Sequence, residues 1–419
     1  MPESNLPEQD VPENDITAEY EVTATAAQYE AAVAALAAGS GPVAVDAERA
    51  SGFRYSQRAY LIQVFRRGAG VFLFDPIALS DEVGPLFTAL NEAISGEEWV
   101  LHAASQDLAC LREVGLDPAR IFDTELAARL LGLPRVGLGP LTESLLGIHL
   151  AKEHSAADWS TRPLPQSWLV YAALDVELLV DLRDEVERLL DESDKTEIAR
   201  QEFHGELVKE AKPPRAEPWR KLSGIHSVRG SRNLAVAREL WLARDALARD
   251  RDTAPGRLVP DAALTAVARV LPASKRDLVG LKEFTGRASR SELDRWWNAI
   301  ELGRSTTDLP VQRPAGDSIP PVRAWADRNP AADVRYRAAR ESITAHAEER
   351  QIPVENLLTP ELLRRVAWEP PAVADEGSVA AALEAGGARP WQVQETAGLI
   401  ATAFVEAEQT DSTRAESPS

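Results

Sequence analysis

The sequence has one cysteine, Cys110, only six histidines, no apolar run long enough to span a bilayer, and no basic, apolar leader at its N-terminus. A lone cysteine excludes an intramolecular disulfide. Its apolar helical surroundings read as a small buried hydrophobe, so no disulfide-linked partner is expected and a reducing compartment fits. Without a span or a leader, the expected location is cytoplasmic, with no membrane partner. No cluster of histidine and cysteine is present either, which argues against zinc as the metal of any site.

Acid is abundant instead. The 419 residues carry a formal charge of −20, which favours solubility and on average repels phosphate. The average hides a contrast. Lys+Arg against Asp+Glu number 0 and 6 over residues 1–20, 17 and 31 over 21–214, 17 and 11 over 215–303, and 12 and 18 over 304–419. One segment is therefore +6 in a chain that is otherwise −26. A chain of this length has room for two to four domains, each with a core of its own.

Residues 1–20 combine acids and prolines with few large apolar groups and are expected to be a disordered acidic arm. From 21 to 212 the pattern is α/β. A helix over 29–36 precedes apolar runs at 43–48, 59–65 and 71–74, expected to be three antiparallel strands. The five residues Arg66 to Gly70 read as the hairpin connection between the last two. Helices over 82–95, 106–114, 124–131 and 140–146 then alternate with short strands at 99–102 and 121–122, and one long helix is expected over 166–190. Residues 215–303 and 318–408 read as two all-helical modules. Each has a long first helix, a proline-containing loop and shorter helices, consistent with a diverged duplication, and 409–419 are expected to be a disordered tail.

The chemistry concentrates in four carboxylates. Asp46 and Glu48 end the apolar run Val43 to Val45, and positions two apart on a strand project to one side about 7 Å apart. Alone, such a pair could equally be two solvated acids. Asp107 starts a helix that leaves a strand end, and Tyr171 and Asp175, four apart, share a helix face. Four acids brought together would repel and raise one another's pKa unless cations neutralise them, and carboxylates suit hard ions such as Mg²⁺ or Mn²⁺. Two such ions about 4 Å apart can activate a water and stabilise the leaving oxygen of a phosphodiester displacement. Hydrolysis of sugars by two carboxylates would leave the other two acids and the basic segment without a purpose.

The motifs Asp46-Ala47-Glu48, Asp107 and Tyr171-(three residues)-Asp175 resemble the DEDDy branch of the DnaQ-like 3'-5' exonucleases, and within it the ribonuclease D family. The resemblance covers about residues 21–210. It implies an α/β ribonuclease H-like exonuclease domain with a mixed sheet flanked by helices. The activity it implies is a metal-dependent 3'-5' exoribonuclease, trimming RNA 3' ends such as tRNA precursors with two divalent cations. Asp46 would then bridge both metals, Glu48 and Asp175 would complete the site of the nucleophile's metal, Asp107 would hold the second largely through water, and Tyr171 would orient the attacking water. A 3'-5' DNA exonuclease and a non-catalytic nucleic-acid-binding scaffold are the alternatives.

The loop holding Lys152, Trp159 and Arg162 also resembles this family and is expected either to wall a substrate groove or to be a Trp packed under a loop with an Arg-Asp pair. Residues 215–303 resemble the helicase-and-ribonuclease-D C-terminal (HRDC) domain, and 318–408 a second, degenerate copy, giving two all-α HRDC-type helical domains after the exonuclease domain. The +6 charge independently suits phosphate binding, with Arg229, Arg232, Lys275 and Arg276 as candidate contacts or as solvated helix charges. His102 is expected to be a satisfied scaffold histidine and Asp123 a helix cap.

Overall fold

The computed structural model describes residues 19–415 apart from 79–82, 151–153, 155, 211–212, 214 and 313–318. Its first part is a mixed sheet of β1 Val22–Thr23, β2 Ser40–Arg49, β3 Ala59–Arg67, β4 Gly70–Phe74, β5 Glu98–Leu101 and β6 Arg120–Asp123, in the order β1-β4-β3-β2-β5-β6. β3 is antiparallel to both of its neighbours, β2 and β4, and β2-β5, β5-β6 and β1-β4 pair in parallel. Helices cover both faces: α1 Ala26–Ala38, α2 Val83–Ile94, α3 Leu108–Glu113, α4 Thr124–Leu130, α5 Leu138–Leu146, α6 Gln166–Glu177, α7 Leu179–Glu192 and α8 Thr196–Leu207. That covering explains why β3 is buried without alternation from Ala59 through Val64, the polar Gln63 included.

Four expectations are corrected. The hairpin between β3 and β4 leaves only Gly68 and Ala69 outside the strands, because Gly68 and Gly70 adopt positive φ (84° and 93°) and close a tighter turn than five residues would. The long helix is broken at Leu178: α6 packs on β2, β3 and β4, whereas α7 keeps β2 but leaves β3 and β4 for α4, α5 and β5, and no glycine or proline marks the change. Within the expected arm, residues 1–18 lie outside the described residues. Its last residue, Tyr20, is docked, its hydroxyl donating to Glu177 on α6 at 3.1 Å. Helix formation also runs through Ala415 rather than stopping at 408, since no proline or glycine interrupts 399–415.

The next module has a core of its own, built from α9 Ser231–Asp250, α10 Pro255–Leu258, α11 Asp261–Val270, α12 Lys275–Val279, α13 Arg287–Ser291 and α14 Leu293–Ser305, with Trp219 and Trp296 inside it. The last module contains α15 Trp325–Arg328, α16 Pro330–Arg350, α17 Val354–Leu357, α18 Pro360–Trp368, α19 Glu376–Ala385 and α20 Pro390–Ala415, and its apolar core is continuous with that of the sheet domain. Polar contacts seal this second junction. Buried Lys195 donates to the carbonyls of Leu130 (2.8 Å) and Gln351 (3.1 Å), and the Trp391 indole donates to Glu202 at 2.7 Å.

Candidate active site

β2 is central in the sheet, and its apolar start, Val43 to Val45, is fully buried, so the strand is anchored where it carries no charge. Its pairing with β5 covers only Val43 and Ala44. Beyond that point the chain of β5 turns away, and the end of β2 that bears Asp46 and Glu48 faces a cavity of about 700 Å³. Asp46, Glu48, Asp107, Tyr171 and Asp175 all line it.

The other two acids arrive from different elements. Asp107 follows a left-handed turn at Ala103 (φ 61°) that leads from β5 into a short 3₁₀ turn and then α3. Asp123, at the end of β6, holds that turn. Its carboxylate accepts the N–H groups of Ala103 (3.0 Å) and Ala104 (2.8 Å) as well as those of Glu125 (3.0 Å) and Leu126 (3.1 Å) at the start of α4. Tyr171 and Asp175 come from α6, one turn apart, with the Tyr171 hydroxyl against the Asp175 carboxylate.

One oxygen from each of Asp46, Glu48 and Asp175 lies within 4.8 Å of the others, a hard-oxygen donor set that fits a divalent cation. These carboxylates line the cavity and are partly accessible, yet heavily desolvated. Burial is the main cause raising all four acids, and mutual repulsion adds to it: Asp46 acts on Glu48, Asp107 and Asp175. Asp107 is pushed up to about 8. Burial, then Asp175 and Glu48, raises the Tyr171 phenol, which stays protonated and able to donate. His102 is neutral, lowered to about 4 by burial, and its Nδ1 meets the Thr124 hydroxyl at 2.9 Å. The bond to Thr124 fits a scaffold role, while the ring also lines the cavity. Cys110 is buried, and desolvation raises its thiol to about 12.

The loop residues divide differently. Trp159 is completely buried, its ring centre 6.4 Å from that of Tyr171, so it backs α6 and is not a groove wall. Arg162 is fully engaged inside the protein: it grips the buried Asp75 carboxylate at 2.7 and 2.9 Å and donates to the carbonyls of Tyr60, Trp159 and Thr161. The arginine's partner is Asp75, 87 residues away, and not a neighbour in the loop. Lys152 lies outside the described residues. In the basic module Arg229 and Arg276 are exposed, while Arg232 donates to the carbonyls of Gly303 and Thr306 and Lys275 is paired with Asp294.

Sequence reasoning missed Arg49, whose guanidinium lies 3.9 Å from Asp107, and Ser51, Gly52 and Phe53, which line the cavity just past Glu48. For Arg49 a signal existed: a cation adjoining the Asp-Ala-Glu triplet.

Residues 20–191 match the family model described as 3'-5' exonuclease, 233–300 the HRDC domain, and 318–404 the 3' to 5' exonuclease C-terminal domain. Over 313 residues the chain is 30% identical to ribonuclease D of Jannaschia sp., covering 73% of this chain and 78% of that one. The chain belongs to the ribonuclease D family. Ribonuclease D of Pseudomonas paraeruginosa is 32% identical over 256 residues, spanning 60% of this chain and 65%, just under two thirds, of its own length. A solved protein structure from Bifidobacterium adolescentis superposes with a TM-score of 0.84 at 36% identity, covering 92% of this chain and 97% of that one. Membership of the ribonuclease D family accords with the mixed sheet, the basic HRDC module and the carboxylate cavity. Among the described residues no helix is long and apolar enough to cross a membrane.

Proposed function

We propose that this chain is a divalent-metal-dependent 3'-5' exoribonuclease that releases 5'-mononucleotides from RNA 3' ends, with tRNA precursors among its substrates. The observation that carries the reading is the convergence of four carboxylates and one tyrosine from β2, the residue that precedes α3, and α6 on a single cavity. Asp46, Glu48 and Asp175 would hold one Mg²⁺ or Mn²⁺, and Asp46 with Asp107 a second. The chemistry such a pair supplies when bound is activation of water and charge stabilisation at the leaving 3'-oxygen.

The protein's own groups do the rest. Tyr171, protonated and fixed by its helix, gives its one proton to the Asp175 carboxylate and would accept a hydrogen bond from the attacking water, orienting it. The rigid start of β2 keeps Asp46 and Glu48 in register so that little reorganisation accompanies the reaction. Arg49 brings a planar cation into the same cavity, suited to a non-bridging phosphate oxygen. The basic module, +6 over 215–303, offers phosphate contacts away from the acidic site, with Arg229 and Arg276 exposed for that purpose. The last module, which matches an exonuclease C-terminal family and resembles a second HRDC domain, acts as a packing element, since it shares the core of the sheet domain.

Digestion of matched RNA and DNA oligonucleotides with free 3'-hydroxyls, with and without EDTA, tests the reading. The expected result is loss of 3' nucleotides from RNA, faster than from DNA and abolished by EDTA. Faster attack on DNA would make the chain a DNA exonuclease, and no attack on either would leave it a binding scaffold.

A further inference from the structure

The loop of residues 50–58 between β2 and β3 begins two residues past Glu48 and gives Ser51, Gly52 and Phe53 to the cavity wall. Its support comes from another module. The connection after α9 donates the Ala254 N–H to the Phe53 carbonyl at 2.9 Å and the Arg257 Nε to the Gly52 carbonyl at 2.8 Å. The Arg257 guanidinium also stacks on the Phe53 ring, 3.8 Å from its centre. Asp252 accepts the Ser56 N–H at 2.8 Å and the Tyr60 hydroxyl at 3.2 Å, so it pins the loop where β3 begins. Tyr55 packs against the core of the basic module and donates to Asp245 at 3.0 Å. Four residues of one short loop, and Tyr60 at the start of β3, are thus held by a module that itself contributes nothing to the cavity lining.

We propose that Asp252 and Arg257 are positioning residues of the catalytic cavity, and that the basic module fixes the wall on which the 3'-terminal nucleotide is seated. Phe53 is the residue through which Arg257 acts: backed by the guanidinium, its ring offers a rigid aromatic surface to a base without sequence preference. The module therefore has two separable effects. Its exposed arginines attract phosphates at a distance, and its 252–257 segment shapes the site where the bond is cut. A module that served only as a tether would have no bearing on substrates too short to reach it.

The proposal rests on the exoribonuclease reading, and the test separates the two. Full-length wild type, R257A, R257K, F53A and the R257A/F53A double variant are compared on a trinucleotide RNA, with melting temperature as the folding control. Arg257 is exposed, so its truncation is expected to leave the melting temperature unchanged. R257A is expected to lower kcat on the trinucleotide by about five- to tenfold, the scale of a modest misplacement of substrate. R257K, which keeps a cation over the ring, recovers part of that loss, and R257A adds nothing once Phe53 is gone. D252N, which retains acceptor and donor atoms toward Ser56 and Tyr60, is expected to outperform D252A in the same assay. Wild-type turnover of the trinucleotide by R257A, or a loss that multiplies undiminished in the F53A background, overturns the proposal. Failure of the wild type to cut any RNA overturns the exoribonuclease reading and this proposal with it.

Discussion

The Arg49 guanidinium stands 3.9 Å from the Asp107 carboxylate, a cation one residue past Glu48 set among four acids. It lowers Asp107 against the opposing effects of burial and Asp46. It is also partly open to the cavity, with 27% of its side chain exposed, and so within reach of a substrate phosphate. In steady-state digestion of RNA, Arg49→Gln is expected to raise KM about tenfold with kcat largely kept, as loss of one charge-assisted hydrogen bond would do. An unchanged KM would remove Arg49 from substrate binding.

Proton binding at Asp107 makes the metal-free protein sensitive to pH. Its carboxyl is pushed from 3.8 to about 8 by burial first and Asp46 second. Between those values the folded chain holds a proton that the unfolded chain has released, so stability falls as pH rises through the window. A divalent cation must displace that proton, and its affinity rises with pH over the same range. Melting in EDTA is therefore expected at a lower temperature at about pH 8.5 than at about pH 6, with Mn²⁺ restoring more at the higher pH. Asp107→Asn should reduce this difference, the remainder coming from Asp46, Glu48 and Asp175, which are raised as well. A slope in EDTA that is the same in the variant would contradict the assignment.

Asp123 acts on the site from behind. Its carboxylate serves four backbone N–H groups, two in the turn that delivers Asp107 and two at the start of α4. Asp123→Ala would leave those donors buried without an acceptor, at a cost of about 2–4 kcal/mol in urea unfolding. Asp123→Asn, which keeps one acceptor oxygen, is expected to lose less. Equal stabilities for the two variants would show that the carboxylate is not what holds the turn.

Arg162 distinguishes a structural loop from a substrate groove. Removing its guanidinium strands Asp75, whose side chain is only 5% exposed, so Arg162→Ala is expected to destabilise the fold by about 2–4 kcal/mol. Lysine cannot reach Asp75 and three carbonyls at once and should rescue little. Were the variant to keep wild-type stability and lose only RNA affinity, the groove reading would return.

The site was legible wherever chemistry fixes residue types at short spacings. Asp46 and Glu48 lie two apart on a strand, Tyr171 and Asp175 four apart on a helix, and the structure brings them together with Asp107 because strand and helix periods already aim them. Charge counts likewise marked the basic module. What escaped is joined across long sequence distances through groups that carry no pattern. Arg257 reaches a backbone carbonyl 205 residues away, and Arg162 an aspartate 87 residues away. The break at Leu178 escaped too, because apolar spacing continues through it while the packing surface beside β2 changes from β3 and β4 to α4, α5 and β5. β1 is two residues long, too short for an alternation to show.

The central claim is that the carboxylate cavity cuts RNA from its 3' end. Full-length wild type and Asp46→Ala, incubated with 5'-labelled RNA and Mn²⁺, test it most directly. The wild type should shorten the RNA stepwise and release 5'-mononucleotides, and the variant should bind the RNA with similar affinity yet be slower by roughly 10³-fold or more. Stepwise shortening by Asp46→Ala at the wild-type rate would contradict the account.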